Sequence, residues 1–213
     1  MIIKQLMLGE DQVFCYILAC EKGGEAIIID PCGEEDKLLE VIRELQLQSV
    51  YIVNTHCHPD HTCGNAIIKE VTGAEIVMHE ADIALLADPD AAEYFNRHGF
   101  TPSPAADISV QDKDILCFGD CQAEIIHTPG HSPGSICLYT DGNLFTGDSL
   151  FVGAAGRVDV PGGDFNTLIN ALSDKLATLP DETVIWPGPD YGASKTSTIG
   201  REKQENPYMG GEW

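Results

Sequence analysis

Apolar residues along this chain come in short, β-branched runs that alternate with turn signals and with helical spacing. Val13–Ala19 and Ala26–Asp30 read as strands, the second stopped by Pro31 and Gly33. Glu34–Leu47 sets Leu38, Leu39, Val41, Ile42 and Leu45 at helical spacing behind an acidic start, the charge that a helix N-terminus favours. Val50–Asn54 is a short apolar strand, followed by a polar, histidine-rich loop and a short helix over Asn65–Thr72. Glu75–Met78 reads as a strand and Ala81–Leu86 as a helix. Residues 88–109, rich in Ala, Pro and Ser, lack periodicity and are expected to form a surface excursion, helical in part around Ala91–Arg97. A strand-rich half follows with Asp114–Phe118, Ala123–His127, Ser135–Tyr139 and Asn143–Thr146, the last two joined by an Asp141-Gly142 hairpin turn. Phe165–Leu179 is helical in pattern and Thr183–Trp186 a final strand. Ser197 is expected to cap a short helix reaching Glu205.

No repeat and no low-complexity linker interrupts this order, so one domain over residues 1–213 is expected, with a short helical tail from about residue 197. The order of elements predicts an α/β fold of two sheets with helices outside. Every polar cluster falls just after a strand, in loops that a rigid scaffold can bring together.

The 213 residues suit a single core that needs no disulfide staples. Acidic residues number 34 and basic ones 12, a formal charge of −22. The one basic cluster, Lys195, Arg201 and Lys203, forms no track for a phosphate backbone, so no nucleic-acid partner is expected. No apolar run approaches the ~20 residues needed to cross a bilayer. Met1–Glu10 lacks the long apolar stretch of a signal peptide, so no membrane partner and a cytoplasmic location are expected. The eight cysteines (Cys15, Cys20, Cys32, Cys57, Cys63, Cys117, Cys121, Cys137) contain no C-x-x-C pair. They are expected to be reduced and mostly buried as small hydrophobes.

Thr55-His56-Cys57-His58-Pro59-Asp60-His61 gathers three histidines and a carboxylate into six positions. In an extended segment His56 and His58 point the same way, so two imidazoles can meet one cation, while Asp60 and His61 lie past the Pro59 bend. Cys57 points away and is expected to pack. His127-Thr128-Pro129-Gly130-His131-Ser132-Pro133-Gly134 offers a second histidine site in a sharply turned segment. Phe145-Thr146-Gly147-Asp148-Ser149 places a carboxylate at a strand end. Together these supply nitrogen and oxygen ligands suited to zinc, iron or manganese. His79 and His98 have no metal spacing and are expected to be surface or core residues.

On these motifs the chain resembles the metallo-β-lactamase superfamily of metal-dependent hydrolases and oxidoreductases. The resemblance runs from Asp30 through His131 and Asp148 to the closing strand. It implies an αββα sandwich with the metal site at one edge between the sheets. His56, His58 and His131 are similar to the family's first metal site, Asp60 and His61 to its second, and Asp148 to the bridging carboxylate. His127 is then a residue that hydrogen-bonds behind the ligands. Leu150-Phe151-Val152-Gly153-Ala154-Ala155-Gly156-Arg157-Val158-Asp159 resembles the glyoxalase II-like group, which includes hydroxyacylglutathione hydrolases and persulfide dioxygenases. The chain ends at Trp213, short of the helical domain that grips glutathione in full-length glyoxalase II. Where the family usually reads Pro-x-His, this chain reads Pro187-Gly188-Pro189, and proline offers no ligand. Asp190 beside it reads as an ordinary turn carboxylate, with a substitute ligand as the alternative.

The resemblance therefore implies one or two divalent ions per chain and a small-molecule substrate, with a homodimer as the one protein partner to consider. The leading expectation is a metal-dependent hydrolase of thioesters or related acyl bonds: water acidified by the metal attacks the acyl carbon and Asp60 acts as catalytic residue. Arg157 and Tyr191 are candidates for substrate binding. Alternatives are a mononuclear iron persulfide dioxygenase, held by His56, His131 and Asp148, and a metal-binding protein without catalysis.

Overall fold

A computed structural model describes residues 1–9, 11–97, 99 and 102–210. Strand alternation explains its layering. In the first sheet, β1 (Ile2–Leu8), β2 (Val13–Ala19) and β3 (Glu25–Ile29) run antiparallel; β4 (Gln48–Val53), β5 (Glu75–His79) and β6 (Ile108–Val110) then continue parallel to β3. The second sheet contains β7 (Ile115–Phe118), β8 (Cys121–His127), β9 (Ile136–Thr140) and β10 (Asn143–Gly147), joined antiparallel in that order. A separate hairpin, β11 (Leu150–Phe151) and β12 (Ala154–Ala155), follows. Beyond it β13 (Val184–Pro187) pairs parallel with β10, and β14 (Ser197–Thr198) closes that edge.

β2 is buried along its whole length because its two faces meet different layers. Phe14, Tyr16 and Leu18 enter the inter-sheet core with Ile27, Ile29, Val53 and Val77, facing Phe118, Ile125, Leu138 and Phe145 of the second sheet. Cys15, Ile17 and Ala19 point outward to a layer formed by α1 (Glu35–Leu45), through Leu38, Leu39 and Ile42. One-turn α2 (Pro59–Thr62) and then α3 (Asn65–Thr72), with Ile68 in the same layer, follow the histidine loop. α4 (Glu80–Leu86) and α5 (Pro89–Asn96) come next; Ala91 and Phe95 of α5 pack on Met78 and Cys57. The second sheet is covered by α6 (Phe165–Asp174), with Leu168 and Leu172, and by α7 (Ile199–Glu205), with Ile199; α8 (Pro207–Gly210) follows. The order is helices, sheet, sheet, helices, so the expected αββα sandwich is observed. Among the described residues no helix is long and apolar enough to cross a membrane.

Three expectations are corrected. Thr183–Trp186 is not the final strand, since Ser197–Thr198 adds β14. Thr198, not Ser197, caps α7, its hydroxyl accepting from Arg201 N at 3.2 Å, while Ser197 Oγ donates to Glu202 Oε1 at 2.5 Å. The cysteines are not all reduced: Cys20, just past β2, is bonded to Cys121 at the start of β8, with Cα atoms 5.7 Å apart. The pair is 101 residues apart in the chain and meets only because the two sheets face each other, so local spacing carries no sign of it. Of the six free thiols, four are buried, as expected; Cys63 is partly buried and Cys117 is exposed.

Candidate metal centre

The loops after β4, β8 and β10 open at the same edge of the sandwich. Residues 54–58 leave the strand, yet His56 and His58 still converge. Their rings lie 4.6 Å apart at 88°, and each meets His131 at 4.6 and 4.5 Å with interplanar angles of 80° and 82°. One ligand atom from each of the three lies within 4.8 Å of the others. Cys57 turns away into the apolar cluster under α5, as expected.

Hydrogen bonds behind the rings fix which nitrogen faces inward. His131 Nδ1 lies 2.7 Å from the carbonyl of Arg157, which can only accept, so Nδ1 carries the proton and Nε2 the lone pair. Thr55 Oγ1 donates to Asp30 Oδ2 at 2.6 Å, leaving its oxygen to accept from His56 Nδ1 at 3.0 Å. Again Nε2 is bare. His61 Nδ1 donates to the same Asp30 oxygen at 2.9 Å. Its Nε2 faces Asp148 Oδ1 at 3.3 Å and Asp60 Oδ2 at 3.7 Å, and Asp148 Oδ2 lies 3.7 Å from His131 Nε2. A Cβ on Gly188 would come within 2.4 Å of Asp148 Oδ1, so the bare Pro187-Gly188 turn is what admits this carboxylate.

The electrostatics follow from burial. Desolvation, reinforced by the neighbouring imidazoles, pulls His56 and His58 well below the usual histidine range and keeps them neutral. Burial acts the same way on His61, but Asp148, Asp60 and Asp30 outweigh it and raise its pKa well above normal. Asp60 is raised, chiefly by burial, while His61 overcomes burial at Asp148 and lowers it.

These residues fit a metal ion. Nε2 of His56, His58 and His131 are buried polar atoms that find no hydrogen-bond partner among the described residues, and Asp148 Oδ1 beside them has the His61 Nε2 contact at 3.3 Å. Buried polar atoms are normally satisfied, and three unpartnered imidazole nitrogens converging beside a carboxylate make the donor set of a cation site. Nitrogen and carboxylate donors suit zinc, iron and manganese alike.

The centre lies on a cavity of about 460 Å³, lined among others by His58, Asp60, His131, Asp148, Arg157 and Tyr191. Tyr191 stands at the mouth, 68% exposed, its ring edge-on to Phe151. The Arg157 guanidinium is engaged by Asp159 through two hydrogen bonds of 2.7 and 2.8 Å, so its nearest contact with the centre is its backbone carbonyl on His131. Asp190 joins no three-donor group among the described residues. His127 Nε2 donates to Pro133 O at 2.8 Å, and its ring stacks on His79 at 3.9 Å. His98 lies outside the described residues. The residues that sequence reasoning did not single out are Asp30, the common acceptor for Thr55 and His61, and the cavity wall of Asp11, Tyr94, Phe95 and Phe151. Only Asp30 has a local signal, a carboxylate before proline at a strand end.

A four-layer α/β sandwich with a histidine-rich donor set at the sheet edge defines a class of metal-binding proteins. Residues 8–188 match the metallo-beta-lactamase superfamily, and the chain belongs to it. Hydroxyacylglutathione hydrolase GloC of Haemophilus influenzae is 38% identical over 191 residues, covering 86% of this chain and 87% of that one. The human mitochondrial persulfide dioxygenase ETHE1 is 30% identical over 212 residues, covering 98% and 76%. Among solved structures, TTHA1623 in a di-iron-bound form superposes with a TM-score of 0.80 at 32% identity, covering 97% of this chain and all of that one.

Proposed function

We propose that this protein is a metal-dependent hydrolase of thioesters or similarly activated acyl bonds. The observation that carries the reading is the set of buried, unpartnered imidazole nitrogens of His56, His58 and His131 beside Asp148, on a cavity that also presents Asp60. A divalent ion held there supplies Lewis acidity toward a carbonyl and lowers the pKa of water toward ~7. Asp60, one-third exposed to the cavity, orients the attacking water and accepts its proton at a carboxylate oxygen. Asp30 holds His61 by Nδ1, and so keeps His61 Nε2 against Asp60 and Asp148. Tyr94, Phe95 and Phe151 give the acyl group an apolar wall and exclude water. Tyr191, whose pKa is raised by partial burial and then by Asp148, Asp60 and Asp11, keeps its phenolic proton and donates it to a substrate oxygen at the mouth. Likeness to GloC over most of both chains supports this reaction class. The test is a panel of thioesters, esters and lactams with zinc-, manganese- and iron-loaded protein: thioester turnover that Asp60→Asn lowers at least tenfold is expected, and no turnover with any metal refutes the reading.

A second reading, an iron-dependent persulfide dioxygenase, is favoured by likeness to ETHE1 and by Pro189. Pro189 makes a backbone bridge to Val13 and brings no donor to the His61 side. His56, His131 and Asp148 would then hold one ferrous ion. Oxygen uptake with sulfite formation from glutathione persulfide, and one iron per chain in protein purified without added metal, separate this reading from the first.

A further inference from the structure

Behind the donors, a single carboxylate ties together the loops that carry them. Asp82 on α4 is fully buried. Its Oδ2 accepts from Cys57 N at 2.8 Å and from Ser132 Oγ at 2.8 Å, and its Oδ1 accepts from Gly134 N at 2.6 Å. Cys57 stands between His56 and His58, and Ser132 follows His131. Two of the three hydrogen bonds therefore end on residues adjoining the metal-facing imidazoles and the third on Gly134, three residues past His131, so they come from two distant stretches of chain. A buried carboxylate is tolerated only when so satisfied. The approach is tight enough to demand glycine: a Cβ on Gly134 would lie 2.5 Å from Asp82 N and 2.7 Å from its Cγ. Deeper in the sandwich, Ile136 N donates to Thr55 O at 2.8 Å, joining the same stretches through backbone. Asp82 thus governs the loop tips, where the ligands are, rather than the pairing of the sheets.

We propose that Asp82 is a positioning residue of the metal centre: it fixes the separation of the His56–His58 loop from the His131 loop, and so the spacing of the three imidazoles, without touching the ion. The inference rests on the metal-centre reading and is independent of which reaction the ion serves.

Asp82→Asn preserves size but offers one acceptor oxygen, so either Cys57 N or Gly134 N loses its partner. Zinc affinity, measured by chelator competition, should fall ten- to hundredfold, the range typical of groups that hold metal ligands in place. The visible bands of cobalt(II)-substituted protein should shift with it. Ser132→Ala removes one of the two bonds from Asp82 to the His131 loop and keeps Gly134 N on the carboxylate, so it should lower affinity by less than Asp82→Asn. Gly134→Ala, which keeps the carboxylate but drives the loop off it, should reproduce the loss and decides the question if the Asn variant does not fold. Variants that melt lower without metal yet bind zinc as tightly as wild type, with the same cobalt spectrum, would make Asp82 a stability residue and overturn the proposal. Wild-type protein that binds neither zinc nor cobalt would overturn the metal-centre reading, and this proposal with it.

Discussion

His79 shows how a histidine outside the donor set is held by its surroundings. It caps α4, its Nδ1 accepting from Ala81 N at 3.2 Å, and its ring stacks on His127. Burial, then the facing His127, lowers its pKa from 6.5 to about 4. Between those values the unfolded chain binds the proton and the folded chain does not, so stability is full above pH 6.5 and is lost as pH falls through 4. His79→Asn keeps a cap acceptor and removes the titration. Across that window the unfolding midpoint of metal-free His79→Asn protein should fall less steeply with acid, by about one proton's worth of slope; an unchanged slope would place the proton elsewhere. At this scale the donors were legible because their spacing is rare in a chain. Asp30 was legible only as a carboxylate before proline at a strand end, and Asp82 not at all: it is one carboxylate among many, and its importance lies in which distant donors reach it.

Elements were legible where periodicity was unbroken. Val13–Ala19 and Asn65–Thr72 form as the pattern predicts. Ile2–Leu8 gave no alternation because Lys4 and Gln5 interrupt it; the segment is a half-buried edge strand, and edges tolerate such residues. Adjacent hydroxyls at Ser197 and Thr198 look alike to a capping rule, and what separates them is that Ser197 Oγ is taken up by Glu202 while Thr198 Oγ1 accepts from Arg201 N. The tail they open is joined to the cavity by Glu202, buried on α7. Its Oε1 accepts from Ser197 Oγ at 2.5 Å, and its Oε2 accepts from Gly153 N and Asn206 Nδ2, both at 2.8 Å. Gly153 lies in the β11–β12 turn, and that hairpin supplies Phe151, Ala154 and Ala155 to the cavity wall. Glu202→Ala leaves these donors without their acceptor and should cost about 3 kcal/mol in urea unfolding, with zinc stoichiometry unchanged because no donor residue is moved. A loss of bound zinc in the folded variant would show that the tail supports the centre directly.

At the scale of the whole molecule, layering was legible because β2 must be covered on both faces, whereas the Cys20–Cys121 link belongs to tertiary structure alone. Topology separates that link from the metal centre. Cys20 follows β2, which runs antiparallel to β3, so it lies beside the start of β3; Asp30 and the His56–His58 loop follow the ends of β3 and β4. Cys121 opens β8, whose other end leads to His131. The disulfide and the donor set therefore close opposite ends of the same pair of sheets. A loop of about 100 residues closed by a disulfide stabilises by as much as ~4.7 kcal/mol in the chain-entropy account. Zinc at a thousandfold excess over its dissociation constant contributes about 4 kcal/mol. If each device acts on its own end, Cys20→Ser/Cys121→Ser and zinc removal should add to within ~0.5 kcal/mol when measured singly and together in denaturant. A coupling well beyond that would mean that the sheets transmit the state of one end to the other, and that closing the far edge sets how tightly the histidines hold their ion.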